Sequence, residues 1–308
     1  MADFHADELI AQAHAGHVLG GTPAIRPFMP EQHRLFFAGL PYLLIGTADA
    51  ADAPVATLLT GAPGFVQSPD ATHLAIAAAL DPTDPAVGSL VPGAEAGILG
   101  IDLATRRRNR ANGRIVGRDR DGLAVAVDQS FGNCPQYIQR RAVEPVPRRP
   151  GSTEILSALD TEAEALIDAA DTLFVATRSR DGLREGGADI SHRGGRPGFV
   201  RRRGNVLTVP DFSGNRYFNT LGNLIGEPRA AVLFLDFASG DLLVLQGRTE
   251  IDWTGAAGLL GAQRSWSVTI TGGWRRRAVV PLRWSDPEPA PQLARTGIWA
   301  EAEGVLRS

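Results

Sequence analysis

The chain contains the four-residue stretch PGFV twice, at 63–66 and, 134 residues later, at 197–200. An aspartate that ends an apolar run recurs at the same offset, as Asp102 and Asp236, and so does a Gly-Arg pair. Three landmarks that share one period indicate two copies of one domain. This constrains the fold strongly, because both copies must adopt the same architecture and can be compared position by position.

Length and composition fit two soluble globular domains. The 308 residues divide into two units of ordinary domain size, with 44% hydrophobic and 21% charged residues. No apolar run approaches the ~18 residues of a membrane span, and the N-terminus lacks a basic-then-apolar signal pattern. We therefore expect a cytoplasmic protein without a membrane partner. Cys134 is the only cysteine, which excludes an internal disulfide.

Every basic residue other than histidine is arginine. The chain has 31 arginines and no lysine, a composition typical of a GC-rich bacterial genome. Schiff-base lysine chemistry and a lysine-dependent phosphate loop are therefore excluded. Any anion that this protein binds must be held by arginine, backbone amides or hydroxyl groups.

Short apolar runs separated by Gly, Asp and Pro predict a mainly β fold with flanking helices. Runs such as HLAIAAAL and AGILGID in the first half, and AAVLFLDF and LLVLQG in the second, suit small antiparallel barrels better than a parallel α/β sheet. Helices are predicted at Asp7–His14, at 30–40 and at 155–167. In the last of these, Thr161 and Glu164 resemble a capping box.

The repeat and a proline-rich linker at 145–152 predict the domain boundaries. We expect an N-terminal leader at 1–29, a first barrel at 30–147, a second barrel at 148–290 and a tail at 291–308. Each barrel then has enough residues for a core of its own.

The two copies differ in their polar residues, and the differences predict an anion site in the second copy. Arg196 and Arg201 stand where the first copy has Ala62 and Gln67. Guanidinium groups, amides and hydroxyls at positions that the fold does not require are typical of a phosphate or oxyanion site. The other predicted members of this site are Ser191, His192, Asn215, Arg216, Asn219 and Thr220.

Local geometry leaves a second interpretation of these residues open. Arg196 and Arg201 have opposite parity, so a regular strand would direct them to opposite faces unless Pro197-Gly198 breaks the alternation. Without that break they would form a solvated strand edge. Asn219 and Thr220 would begin a short helix, where free amides favour anions.

The first copy has a basic segment of its own, TRRRNRANGR at 105–114. On a strand, Arg106, Arg108 and Arg110 would share one face. These side chains either reach an anion bound by the second copy or face solvent, and the sequence favours neither arrangement.

The polar run SFGNCPQYIQRR at 130–141 has no counterpart in the second copy. Cys134 in this run is either a reactive thiol or a passive, partly buried one, and the lack of a histidine nearby in the sequence favours the passive role. The six histidines show no metal-ligand spacing, so we predict no metal site.

These segments resemble the pyridoxamine 5'-phosphate oxidase-like, FMN-binding split-barrel family. The second copy shows the resemblance in ADTLFVAT, DISHRGGRPGFVRRRGNVLTVPDF, a short helix before GEPRAAVLFLDF, and LLVLQGRTEI. SFGNCPQYIQRR and ATRRRNRANGR resemble a subgroup with two copies in one chain. The resemblance implies two tandem six-stranded antiparallel split β-barrels with FMN between them. It also implies that the chain is a pseudo-dimer, able in addition to form a homodimer.

The same resemblance implies roles for individual residues. Arg196 and Arg201 match the spacing of the family's phosphate-binding Arg and Lys. Asn219 and Thr220 fall where many members have a basic pair, a departure that weakens the expected hold on FMN. The first copy matches none of the phosphate positions, so at most one FMN is expected per chain. Residues of the first barrel implied to contact the cofactor or substrate are Arg108, Asn133, Gln136 and Tyr137.

The resemblance implies an FMN-dependent oxidoreductase that acts on an unidentified small molecule, with a nicotinamide nucleotide or a reductase as electron donor. The alternative is a flavin- or haem-binding protein without catalytic turnover, whose bound flavin no donor would reduce. A nucleic-acid partner is disfavoured, because the net charge is −3 and the arginine runs lack interleaved aromatic residues.

Overall fold

The computed structural model describes residues 4–17, 24–214, 216–254 and 258–305. As predicted, the fold is mainly β with a few helices. All strand pairs in these ranges are antiparallel. Within the same ranges, no helix has both the length and the apolar character needed to cross a membrane.

The first half of the chain contains two helices, one 3-10 turn and seven strands. They are α1 (Ala6–His14), α2 (Glu31–Ala38), β1 (Tyr42–Ala48), β2 (Pro54–Thr60), β3 (Val66–Gln67), β4 (His73–Ile76), the 3-10 turn Val87–Ser89, β5 (Glu95–Asp102), β6 (Arg107–Asp119) and β7 (Gly122–Gly132).

The second half follows through two short strands, β8 (Val143–Pro145) and β9 (Thr153–Leu156). The remaining elements are α3 (Thr161–Ala169), β10 (Thr172–Arg178), β11 (Ala188–Gly194), β12 (Arg201–Arg203), β13 (Val206–Phe212), α4 (Asn219–Gly226), β14 (Arg229–Leu235), β15 (Leu242–Asp252), β16 (Ala262–Arg276), β17 (Leu282–Trp284), the 3-10 turn Pro291–Arg295 and α5 (Trp299–Val305).

The strands form two large sheets with the same strand order. The first runs β2-β1-β5-β6-β7-β4-β3 and the second β11-β10-β14-β15-β16-β13-β12, so that each strand has a counterpart at the same place in the other sheet. Strand β9 pairs with β16 beside this path, and β8 pairs with β17. Each path has seven strands where six were expected, because the short β3 and β12 extend one edge. The predicted domain boundaries stay a prediction.

The start of the second half differs from the helix predicted there. Ile155 and Leu156 lie in β9, and α3 begins only at Thr161. The N-cap is Asp160, whose side chain accepts a hydrogen bond of 2.7 Å from the Ala163 amide, so the predicted capping box was wrong. The prediction began the helix too early because Ile155 and Leu156, which lie in β9, have the same helical spacing as the apolar residues of α3.

Three large hydrophobic clusters stabilise the described part of the molecule. One fills each half, with Phe37 fully buried in the first and Trp266 fully buried in the second. The third lies between the sheets and joins Leu99 of β5 to Leu233 of β14, both of which are fully buried. Each side chain of this size contributes roughly 1.5–3 kcal/mol when buried. The third cluster therefore fixes the first sheet against the second.

The two halves come into backbone contact at Gly97 of β5. A Cβ atom at this position would lie 2.5 Å from the Cα of Asp189 and 2.8 Å from the carbonyl oxygen of Ala188, both on β11. Gly46 on β1 is similarly close, because a Cβ there would lie 2.9 Å from the Cβ of Ala176. The absence of side chains at these positions allows β11 to lie directly against the first sheet.

We expect Gly97→Ala to destabilise the protein by about 1–3 kcal/mol, because the added methyl group meets backbone that cannot rotate away. Gly88→Ala is a matched control, since a Cβ there meets no atom within 4 Å. Urea unfolding of both variants measures the difference. Equal stability of the two variants would contradict the close approach of β5 and β11.

Candidate functional site

A polar cavity of about 80 Å³ lies where the first half meets the second. We call it the basic cavity. The first half contributes the start of β6 and the loop after β7, and the second contributes β11, the segment from β13 to α4, and the start of β16. Its lining residues are Arg108, Arg110, Asn133, Gln136, Tyr137, Ser191, His192, Arg193, Gly194, Pro210, Asp211, Phe212, Gly214, Arg216, Phe218, Asn219, Thr220, Leu221, Gln263 and Arg264.

Arg108 reaches from β6 across to the second half. Its Nε donates to the Cys134 carbonyl at 3.0 Å, and one terminal nitrogen lies 3.2 Å from His192 Nδ1. Burial and the neighbouring guanidinium groups of Arg110 and Arg193 lower the pKa of Arg108 to about 9. The side chain is still cationic at neutral pH, and a bound anion would relieve the repulsion around it.

Arg110 makes the most extensive contacts across the two halves. Its guanidinium group donates to both carboxylate oxygens of Asp189, at 2.5 and 2.7 Å, and to Ser191 Oγ at 2.5 Å. It also lies over the ring of Phe131, 5.3 Å from the ring centre. Both members of the ion pair are buried, so Arg110 is held rigidly at the wall of the cavity. Of the three arginines predicted to share one strand face, Arg108 and Arg110 reach the second half at this cavity. Arg106 lies before β6 with a positive φ of 57°, and its Nε donates to the Ile138 carbonyl at 3.0 Å, so it does not line the cavity.

His192 is a buried, neutral histidine beside Arg108. Burial, together with the positive charges of Arg108 and Arg193, places the pKa of His192 well below its ordinary value. Because Nδ1 faces the donating guanidinium of Arg108, the ring proton belongs on Nε2. Among the described residues, buried Nε2 has no hydrogen-bond partner, so this N–H is available to a ligand.

Two arginines that the sequence comparison missed surround Asp211. Arg264 on β16 donates to Asp211 at 2.7 Å, and Arg193 on β11 lies 3.8 Å from the same carboxylate. At offset 134, Arg193 stands where the first copy has Leu59, and Arg264 stands where it has Ser130. Both arginines are therefore specific to the second copy, and this difference could have identified them from the sequence.

The segment that leads into α4 forms another wall of the cavity. Arg216 and Phe218 have positive φ angles of 63° and 62°, in the left-handed region that non-glycine residues rarely adopt. At the start of α4, Thr220 Oγ donates to Ser191 Oγ at 2.9 Å, and Asn219 Oδ1 accepts from Arg110 at 3.3 Å. Predicted site residue Asn215 lies outside the described residues.

The polar run after β7 supplies the remaining predicted residues. Tyr137 donates from its hydroxyl to the Ser213 carbonyl at 3.0 Å, and its ring packs on Phe212. Asn133 Oδ1 and Gln136 Oε1 are buried without a hydrogen-bond partner in the described part of the chain. Unsatisfied buried amides are costly, and a ligand that pairs with them would remove that cost.

The structure does not bring Arg196 and Arg201 to the basic cavity, so the phosphate role predicted for them stays a prediction that this cavity does not support. Arg196 donates to Glu301 at 2.6 Å, and the guanidinium of Arg201 lies 4.1 Å from the ring centre of Trp299. Both partners belong to α5. The physical reason is that residues 195–200 form no strand, so the segment turns away from β11 before β12 begins. Neither the spacing nor the repeat reveals this C-terminal contact.

Nine predicted residues do line the basic cavity: Arg108, Asn133, Gln136, Tyr137, Ser191, His192, Arg216, Asn219 and Thr220. The lining contains five arginines and one carboxylate, that of Asp211. Asp211 and the Asp189 carboxylate bound to Arg110 offset two of these five charges, and the cavity keeps a net positive charge. Guanidinium groups in this density are suited to bind phosphate or carboxylate oxygens.

No family model and no curated protein matches this chain. Among solved structures, it is similar to HupZ of Group A Streptococcus (15% identity, TM-score 0.29, 36% of this chain and 89% of that chain). It is also similar to a FAD-binding protein from Mesorhizobium loti (14% identity, TM-score 0.28, 40% of this chain and 97% of that chain). A third match is MrkH of K. pneumonia in complex with c-di-GMP (9% identity, TM-score 0.23, 82% of this chain and 87% of that chain). At these TM-scores the likeness establishes neither a shared fold nor a shared ligand.

The charge of the basic cavity predicts that small phosphate anions stabilise the protein. Inorganic pyrophosphate at 100 times its Kd should add about 2.7 kcal/mol to the free energy of unfolding. Arg108→Gln should lose most of this effect, whereas Arg107→Gln should retain it, because Arg107 lies over Phe36 outside the cavity. Thermal unfolding with and without pyrophosphate measures both. An equal increase in Tm with pyrophosphate in the two variants would show that the anion does not bind in the basic cavity.

Glu8 on α1 predicts a pH dependence at the edge of this site. Its carboxylate accepts from Asn219 Nδ2 at 2.5 Å, and burial raises the pKa of Glu8 to about 8. The folded state therefore binds this proton more tightly than the unfolded state, whose pKa is near 4.5. The stability that the protonated Glu8 side chain contributes is fully present below pH 4.5 and is lost as the pH rises towards 8.

Glu8→Gln cannot titrate, so its stability relative to the natural protein should rise with pH over this window. The expected change is up to a few kcal/mol, since one pKa unit corresponds to about 1.4 kcal/mol. Urea unfolding at pH 5, 6.5 and 8 measures it, with exposed Glu31→Gln as control. A difference that is constant with pH would show that Glu8 does not titrate in this way.

Proposed function

We propose that the basic cavity binds the phosphate group of FMN and that the protein is an FMN-dependent oxidoreductase acting on a small molecule. A nicotinamide nucleotide or a reductase is the proposed electron donor. One observation carries this proposal: five arginine side chains from both halves converge on one cavity with a single lining carboxylate. A phosphate dianion is the ligand that best neutralises such a cluster.

The residues present fit the phosphate end of the cofactor. Guanidinium groups of Arg108, Arg193 and Arg264 can donate to phosphate oxygens, and the unpartnered Nε2–H of His192 can donate without adding charge. A volume of about 80 Å³ admits a phosphate group but is smaller than the roughly 300 Å³ or more of an ordinary small-molecule pocket. The rest of FMN would therefore lie outside this cavity.

When bound, FMN would supply hydride transfer at its ring, while the protein supplies binding, orientation and electrostatics. In this proposal, the arginines hold the phosphate and fix the register of the cofactor. The unpartnered amide oxygens of Asn133 and Gln136 in the first half are acceptors, so they would pair with N–H or O–H groups of the cofactor and not with its phosphate oxygens. His192 remains neutral at physiological pH because its environment disfavours the charged form.

An absorbance spectrum of the purified protein, before and after denaturation, is the first test. Flavin bands, with one FMN per chain identified by mass, would support the proposal. Steady-state reduction by NADH or NADPH would then support turnover. Absence of flavin even after incubation with FMN would overturn it, and a Soret band would assign the protein to haem instead.

Two double variants should separate the basic cavity from the arginines that α5 engages. We expect Arg108→Gln with Arg193→Gln to release FMN, with an increase in Kd of at least about 100-fold for the loss of two charge-assisted hydrogen bonds. Arg196→Ala with Arg201→Ala should retain full flavin content, because both side chains contact α5. Fluorescence titration with FMN measures the two constants, and the reverse order of effects would place the phosphate beside α5.

A further inference from the structure

A second, larger cavity adjoins the basic cavity on the other side of Asp189. We call it the acidic cavity, and its volume is about 450 Å³. Its walls come from α1, the start of β5, the middle of β6, the end of β7, the turn before β11 with the start of that strand, and α4. Asn219 lines both cavities, and the Arg110–Asp189 ion pair joins a lining residue of the basic cavity to one of the acidic cavity.

The acidic cavity is lined by an excess of carboxylates. These are Glu8, Glu95, Asp128, Glu185 and Asp189, whereas Arg114 is the only arginine in the lining. Asp189 is neutralised by Arg110, and Glu95 lies 3.6 Å from Arg114. Glu8 is protonated at neutral pH, because burial raises its pKa to about 8. The other four carboxylates still outnumber Arg110, Arg114 and the exposed Arg184 beside Glu185, so the cavity keeps a net negative charge, opposite in sign to that of the basic cavity.

A buried acceptor in this lining also lacks a partner. Asn112 is 8% exposed, and its amide nitrogen donates to Asp189 at 3.1 Å. Its Oδ1 atom is buried and has no hydrogen-bond partner among the described residues. An acceptor of this kind is costly unless a donor reaches it, and a ligand that presents an N–H group at this wall would remove that cost.

The carboxylates are spread over the walls instead of converging on one point. In the ranges that the structure describes, no group of three or more His, Cys, Asp or Glu side chains is arranged to hold a metal ion. An extended organic cation matches such a distribution, because its charge and its donors are distributed along the molecule.

We infer that the acidic cavity binds a small organic cation that carries primary ammonium or guanidinium groups. The carboxylates of Glu95, Asp128 and Glu185 supply the charge, and Asn112 Oδ1 supplies a buried acceptor at the inner wall. Binding of the cation depends only on these residues. We further propose that this cation is the substrate of the cofactor bound next to it, a role that rests on the proposed function.

Calorimetric titration at low ionic strength with putrescine and with agmatine tests the inference, with 1,4-butanediol as a neutral analogue of similar length. We expect both cations to bind once per chain and the diol not to bind. Glu95→Gln with Asp128→Asn should weaken cation binding by at least roughly tenfold, because two charge-assisted contacts are lost. Glu250→Gln is the matched control, since this exposed glutamate on β15 is not part of the cavity lining.

Three outcomes would overturn the inference: no binding of either cation, equal binding of the diol, or unchanged affinity in the folded double variant. Circular dichroism establishes that the variant is folded. The titration is run with and without FMN, and expulsion of the cation by FMN would assign the acidic cavity to the flavin instead. Absence of any flavin would overturn the proposed function while leaving cation binding intact.

Discussion

The ion pair between Arg110 and Asp189 is the contact on which both the fold and the site depend. It joins the two halves, and both side chains are buried. Ser191 accepts a hydrogen bond from Arg110, and Asn112 donates one to Asp189. Removal of one member of such a pair typically costs about 3–5 kcal/mol, because the other charge is left buried and unpaired. The pair requires close approach of the two halves, and glycine at position 97 permits that approach.

The same ion pair separates two regions of opposite charge. Arg108, Arg193 and Arg264 lie on one side, and Glu95, Asp128 and Glu185 lie on the other. Because the cavities share the wall at Asn219, a bound anion and a bound cation would attract each other across a short, partly buried distance. Each ligand would therefore favour binding of the other, and by linkage the effect must be equal in both directions.

The sequence predicted the fold class and most of the basic cavity, because polar residues that one copy has and the other lacks mark positions that the fold does not require. His192 and Thr220 were found in this way, and so was the basic strand that carries Arg108. Comparison of the two copies could not predict that Arg196 and Arg201 contact α5, because this helix follows the repeated region and has no counterpart in the first copy. It could not find the acidic cavity either, since that cavity exists only where β6 and β11 meet.

Pseudo-symmetry of the two sheets explains why one such cavity is expected per chain. Arg110 pairs with Leu99 in the first sheet, and at the same register Val244 pairs with Leu233 in the second. The positions equivalent to Arg108, Arg110, Asp189, His192 and Thr220 are Leu242, Val244, Val55, Leu58 and Ala86, all of which belong to the cluster between the sheets. One side of the interface is therefore a polar cavity and the other is core. The apolar side stabilises the contact between the halves, and this stabilisation offsets the cost of holding several buried arginines together on the polar side.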